Sequence, residues 1–315
     1  MAIANARDLG ATEVNIARTI VEHDEIVARA VHLRETQHAI SSSTLCPESQ
    51  RPLPVADLAL TCPFVKTVAA WTLIVTFAFT MRVSLADDCN ELILEQIKQM
   101  PQGGRYSVSH FAKIRLQSAA HFESGKFFIL PSAASPSFCS GATYLVFIRT
   151  IEALRARGEL HFDFATLDQL IIRDQHDGEG IWGRWNANGP GTARLFHELG
   201  LGRNFDNFDQ AKPGDFIKIF WSRQVGRSEH GHSAIFLGTE NRLGVEYVRY
   251  WSSNIPSGYG EKSVPRSKIA YAIFSRLQTP ANLSRITSAP FVDSYLASLL
   301  RKRSSFTEAT QKCGL

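Results

Sequence analysis

Apolar positions recur at helical spacing in only a few stretches of the chain. Tyr144, Phe147, Ile151 and Leu154 stand three or four residues apart, which lines them along one helix face. Pro131 and Pro136 precede the run, so this helix is predicted to open near Cys139. Further on, the period changes to two. Phe216 to Trp221 follows the turn Lys212-Pro213-Gly214-Asp215, and a second strand runs from His232 to Leu237 and stops at Gly238. Alternation puts His232, Ala234 and Phe236 on one face of that strand and Ser233, Ile235 and Leu237 on the other. A reversal around Asn241 and Arg242 sets His232 opposite about residue 251, with Ser252 and Asn254 in range and Glu246 at the wrong end. Thr192 to Leu199, opened by Pro190-Gly191 and closed by Gly200, reads as a short helix. Ile269 to Phe274 reads as a further strand, and Pro290 to Leu300 as a last amphipathic helix.

Ahead of these elements the pattern differs. Residues 12 to 38 carry Ile16, Ile20, Val27 and Val31 on one stripe, the mark of an amphipathic helix. Ser41 to Thr44 and Pro47, Pro52 and Pro54 then break helix and strand alike, so residues 1 to 62 read as an appended segment and linker. Residues 67 to 81 contain no charged side chain, follow Lys66 and lead to Ser84-Leu85-Ala86. That run is shorter than the roughly 20 apolar residues of a spanning helix, but it fits an export signal cut after Ala86. Because a signal begins a chain, Met1 is read as an upstream start, with translation opening near Val65. A buried strand rich in Val, Ile, Thr and Phe is the other reading. The organisation expected is therefore an appended segment over 1–62, a signal-like segment over 63–86, one main domain over 87–301 and a polar tail over 302–315.

With 315 residues and 44% hydrophobic content, the chain can bury one ample core or two modest ones, which excludes a disordered protein. Its formal net charge of +4 suits an anionic surface without demanding one. No Arg/Lys stripe interleaved with aromatics marks a nucleic-acid partner, and a membrane enters only through the export segment.

Candidate chemistry gathers at Cys139. A thiol at a helix N-terminus meets unpaired N–H groups and the positive end of the dipole, which favour the nucleophilic thiolate; a small buried core cysteine is the alternative. His232, at a strand entrance after Gly231, is placed to act as its base, and Asn254 as the polar group that holds the ring. The stretch Asp174 to Gly191 holds Trp182, Trp185, Asn186 and Asn188. Trp182 and Trp185 are expected to stack on a sugar ring or cover the thiol and Asn186 to hydrogen-bond substrate, or else the tryptophans pin the loop to the core. His176, Asp177, Glu179, His230 and His232 offer metal-ligand chemistry at a spacing that matches no metal motif, so no metal or cofactor is expected. Of the five cysteines, a cut after Ala86 leaves Cys89, Cys139 and Cys313. Pairing of Cys89 with Cys313 would leave Cys139 as the single thiol; all five reduced is the alternative.

The order Cys139, then Pro213-Gly214-Asp215, then Gly231-His232, then Asn254 resembles the papain-like cell-wall cysteine hydrolases, the NlpC-type and CHAP amidohydrolases, over residues 137 to 256. Phe138, where a polar residue often stands, and the long segment between Cys139 and the Pro-Gly-Asp turn depart from that pattern. The resemblance implies an α+β, papain-like core in which a helix bearing Cys139 packs on a short antiparallel sheet bearing His232. It also implies an exported cysteine peptidase or amidase that cleaves amide bonds, with peptidoglycan or another peptide as substrate. A non-catalytic wall-binding module on the same fold and a transglutaminase-like acyltransferase are the alternatives.

Overall fold

The computed structural model describes residues 85–123 and 126–315. The stripe at 12–38, the linker and the apolar run at 67–81 lie outside the described residues, and the expected cut after Ala86 falls within the first described helix.

The chain order is α1 (Leu85–Lys98), β1 (Gly103–Gly104), α2 (His110–Ala119), β2 (Ala120–Glu123), β3 (Lys126–Ile129), α3 (Cys139–Ala156), α4 (Phe164–Gln169), α5 (Gly180–Trp185) and α6 (Gly191–Leu199). There follow β4 (Gly202–Phe205), β5 (Phe216–Phe220), β6 (Val225–Gly226), β7 (Gly231–Arg242), β8 (Val245–Asn254), β9 (Gly258–Pro265), β10 (Tyr271–Leu277), α7 (Ser294–Ser298), β11 (Arg303–Ser304) and α8 (Phe306–Lys312). The fold is α+β. Seven strands form one antiparallel sheet in the order β1-β9-β8-β7-β5-β10-β4.

Period-two alternation gives this sheet two buried faces. Phe216, Ile235, Trp251 and Leu277 join the main core with α3, whereas Ala234, Phe236, Val248, Tyr250 and Phe274 form a second cluster closed by Phe208 and Val264. Helix α3 is buried almost all round, from Ser140 through Ile148 and again at Ile151 and Leu154. Its contiguous apolar run, rather than one stripe, marks it as the central helix.

Two turns set the positions of the functional side chains. At the Pro213-Gly214-Asp215 turn, Gly214 has φ +95°, and a Cβ there would stand 2.6 Å from the Asn90 carbonyl oxygen, so glycine is required. Asp215 is fully buried and accepts from Arg276 Nε and Nη2 (2.8 and 2.6 Å), from Lys212 N (2.7 Å) and from Asn90 Nδ2 (3.0 Å). It thereby ties α1, β5 and β10 together. The β7–β8 reversal uses Leu243 and Gly244, with φ +51° and +80°, the double left-handed turn that tight hairpins favour. It comes two residues later than the expected Asn241-Arg242, and a bulge between Phe236 and Gly238 shifts the register. Ile235 thus faces Trp251, and three residues back on β7 and three forward on β8 bring His232 beside Asn254.

The C-terminal segment is more ordered than its polarity implies. Residues 302–315, expected as a polar tail, carry β11, which pairs with β6, and α8, which buries Ala309 and Cys313 against Phe220, Val225 and Ile273. The helix expected over Pro290 to Leu300 is confined to α7, because Asp293 caps it by accepting from Leu296 N at 2.9 Å. Cys89 lies in the main core and Cys313 in this separate cluster, and no disulfide joins them.

Candidate active site

Phe138 enters α3 in an extended conformation (φ −141°, ψ 163°), and the first helical bond runs from Ala142 N to Phe138 O at 2.9 Å. The N–H groups of Cys139, Ser140 and Gly141 precede that bond, so the helix gives them no acceptor. Several contacts fix this entrance. Ser137 N donates to Arg105 O (3.1 Å), the Ser137 and Ser253 hydroxyls meet at 2.8 Å, and Tyr259 OH donates to Ala134 O at 2.9 Å. From the other side, Trp185 Nε1 donates to Ser140 O (3.1 Å) and Thr143 Oγ1 (3.2 Å). Cys139 is half-buried as a result.

His232 stands at the start of β7, opposite Ile219 of β5. Its Nε2 lies 3.2 Å from Asn254 Oδ1. Asn254 Nδ2 donates to the carbonyls of Ser252 (3.2 Å) and Gly260 (2.8 Å), which fixes the amide with its oxygen toward the ring. An oxygen accepts only, so Nε2 carries the hydrogen and Nδ1 is left for the thiol. Cys139 hydrogen-bonds this imidazole. Burial by itself raises the thiol pKa. The hydrogen bond and charge of His232, the Ser233 N–H and the Lys218 ammonium outweigh it and lower the value from 9.0 to about 6. At pH 7 the sulfur is therefore mostly thiolate, by about ten to one.

Four residues at this site gave no functional signal in the sequence reading. Tyr106 hydrogen-bonds the Cys139 sulfur, and its phenol is pushed well above its usual range by burial and then by Cys139, so it remains a donor. Ser233 lends the sulfur its backbone N–H. Lys218 sits opposite Ser233 on β5, and its Nζ meets Glu229 Oε1 at 2.7 Å, with the Glu229 side chain buried and that of Lys218 largely so. Glu229 Oε2 also accepts from Gly189 N (2.6 Å) and Gly226 N (2.9 Å). Lysine amid the apolar FIKIF of β5 was the one available clue. Tyr106, in Arg105-Tyr106-Ser107, is brought to the site by its bridge to Ser137 and by its N–H, which donates to Pro256 O at 3.0 Å.

One cavity opens on the sulfur and a second on the imidazole. One, about 460 Å³, is lined by Cys139, Ser140, Asp177, Trp182, Asn186 and Lys218 among others. The other, about 580 Å³, lies on the imidazole side against His232, Asn254, Trp221, Tyr250, Ile255 and Lys262. Tyr106, Val108, Glu229 and Gly231 border both. Asp177 accepts from Asn188 N at 3.0 Å, and burial pushes its carboxyl above the usual range.

Of the sequence-predicted residues, Cys139, His232 and Asn254 come together and Asn186 lines the thiol cavity. Asn186 Oδ1 accepts from the Ser140 hydroxyl, which leaves its Nδ2 as a donor. The two tryptophans need correction as sugar-stacking platforms. Both are about 1% exposed, since α5 turns them inward: Trp185 against Phe147 and Phe216, Trp182 against Phe138 and Tyr144 with only an edge on the cavity. Arg184 between them is fully buried and holds this segment by donating to Glu198 and to the carbonyls of Gly178, Gly180, Pro290 and Phe291. The rival ligand set does not converge: among the described residues no three His, Cys, Asp or Glu side chains are grouped to hold a metal ion.

A thiolate paired with an oriented imidazole, beside helix N–H groups and a phenol donor, is equipped for nucleophilic attack on a carbonyl carbon and stabilisation of the resulting oxyanion. Comparison with known proteins finds no family model, no curated protein and no solved structure that matches the chain.

Proposed function

We propose that this protein is a papain-like cysteine hydrolase that cleaves amide bonds, with peptidoglycan peptides as its substrate. The observation that carries the reading is the ordered line Cys139, His232, Asn254, in which the fixed Asn254 amide dictates the imidazole tautomer. Cys139 Sγ attacks the carbonyl carbon, and the carbonyl π electrons move onto oxygen. The N–H groups of Cys139 and Ser140 and the Tyr106 hydroxyl or Asn186 Nδ2 receive that oxyanion. Collapse breaks the C–N bond as protonated His232 gives its Nδ1 proton to the departing nitrogen. Water then attacks the thioester, His232 takes its proton, and the carboxylic acid leaves as the thiolate re-forms. An amine held in the cavity beside His232 would attack in place of water, and its 580 Å³ leaves room for transglutaminase-like transfer as a second reading.

Export is part of the proposal and rests on the apolar run at 67–81. N-terminal sequencing of the native protein should begin at Asp87; residues 1–62 on the mature protein would refute it. For the chemistry, purified peptidoglycan is incubated with wild type and Cys139→Ala, and released fragments are read by mass spectrometry. Thiol-dependent fragments are expected. Equal release by both proteins would defeat the reading, and binding without release would favour a wall-binding module.

A further inference from the structure

Away from the thiol, unpaired cations collect where residues 301–304 pack beside β6. β11 pairs with β6 through Arg303↔Gly226 and Ser304↔Val225, and Arg227 N donates to Lys302 O at 2.8 Å. This ribbon gathers Arg223, Arg227, Arg301, Lys302 and Arg303, all exposed. None of these five side chains has an ion-pair or hydrogen-bond partner among the described residues. Five cations in two short segments exceed the formal net charge of +4 of the whole chain, and the field they sum to attracts an anion.

Two nearby carboxylates are already paired, Glu229 with Lys218 and Asp293 with Arg194 at 2.8 Å; the third, Glu308, accepts from the Ser304 hydroxyl at 2.8 Å and offsets one charge of the five. The ribbon is also fastened to the thiol cavity. Asn188, on the cavity wall, donates through Nδ2 to Gly226 O at 3.5 Å, Gly226 N donates to Glu229, and Leu300 lines the same cavity as Cys139.

We propose that this ribbon docks an anionic glycan polymer with spaced carboxylates, which lie on Arg223, Arg227, Arg301, Lys302 and Arg303 while an amide-bearing branch enters the cavity at Cys139. Guanidinium forks match carboxylates two bonds at a time, and four of the five cations are arginines. A single-stranded nucleic acid is disfavoured, because such sites interleave cations with aromatics that offer a face to the bases: 222–228 and 300–305 contain none, and of the flanking aromatics Phe306 is stacked on Tyr271 and Trp221 lies against His232. Only the identification of the polymer as substrate rests on the proposed hydrolase; the docking does not.

Fluorescein-labelled polygalacturonate is titrated into the full chain at several salt concentrations, with single-stranded DNA and neutral dextran alongside. Wild type and Cys139→Ala should bind polygalacturonate equally, with affinity falling about as the third to fifth power of salt, and should ignore dextran. Combining Arg223→Glu, Arg227→Glu, Arg301→Glu, Lys302→Glu and Arg303→Glu should weaken binding at least tenfold and flatten the salt dependence. The melting temperature and the turnover of a small neutral amide should be unchanged. Unaltered binding by that variant, no binding by wild type, or tighter binding of DNA than of polygalacturonate would overturn the proposal. Loss of binding in the variant without any thiol-dependent cleavage by wild type would leave the docking site standing and remove the hydrolase.

Discussion

Replacing His232 with alanine probes the electrostatics of the thiol directly. Burial alone would hold the Cys139 thiol above its ordinary 9.0; it lies at about 6, and the hydrogen bond and charge of His232 lead the opposing causes, ahead of the Ser233 N–H and Lys218. The difference between 9.0 and about 6 favours the thiolate by about 4 kcal/mol. Without His232, desolvation is opposed by the Ser233 N–H, Lys218 and the Tyr106 phenol alone, and the thiol pKa rises back toward its ordinary 9.0. Full return to 9.0 would take the thiolate fraction at pH 7 from about nine-tenths to about one-hundredth, so alkylation by iodoacetamide should slow by roughly ten- to a hundredfold. The assay is a pH series of alkylation of the full chain, with the Cys139 peptide quantified by mass spectrometry so that the other cysteines do not contribute. A wild-type midpoint near pH 9, or a His232→Ala midpoint still near pH 6, would show that His232 does not ionise the thiol. In the second case the helix end and Lys218 would be enough to ionise the sulfur.

Asn254→Ala removes the acceptor that fixes the ring. Loss of a hydrogen bond to a charged group is worth about 1.5–3 kcal/mol, so kcat/KM should fall roughly ten- to a hundredfold while the alkylation midpoint moves little, which steady-state kinetics and the same pH series would check. Asp215→Ala leaves the Arg276 guanidinium buried without its carboxylate; urea unfolding should reveal a loss of about 3–5 kcal/mol, and a loss below about 1 kcal/mol would count against the turn as a joint. Burial pushes the Cys313 thiol up to about 12. It should therefore resist iodoacetamide at pH 8 in the folded protein and react once urea is added, and prompt labelling in the native state would mean that α8 is not docked.

Much of the site was legible because local rules decide it. The helix start at Cys139 follows from the prolines before it and the apolar run after it, and the Pro-Gly-Asp turn follows from residue types with few other uses. The partner of His232 was harder. Counting from a reversal at Asn241-Arg242 centres on residue 251, and the real geometry reaches Asn254 because Leu243 takes a positive φ and a bulge consumes one residue. Neither feature has a composition signal, since leucine rarely adopts that conformation. Trp182 and Trp185 misled because their glycine-rich surroundings read as a loop, whereas α5 and the six hydrogen bonds of buried Arg184 draw that segment into the core. Tyr106 and Glu229 were out of reach for another reason. Each meets the site through tertiary contacts, a bridge to Ser137 and an ion pair to Lys218, which no local pattern encodes.

The proposed hydrolase turns on one step, covalent acylation of Cys139 during amide cleavage. The full-length protein is mixed with solubilised peptidoglycan fragments, quenched in acid within the first turnover, digested and mapped by mass spectrometry. A thioester adduct is expected on the Cys139 peptide, with the mass of the acyl half of a cleaved fragment, that disappears as free product accumulates and is missing in Cys139→Ala. Cleavage without any adduct at Cys139, continuing in Cys139→Ala, would contradict it.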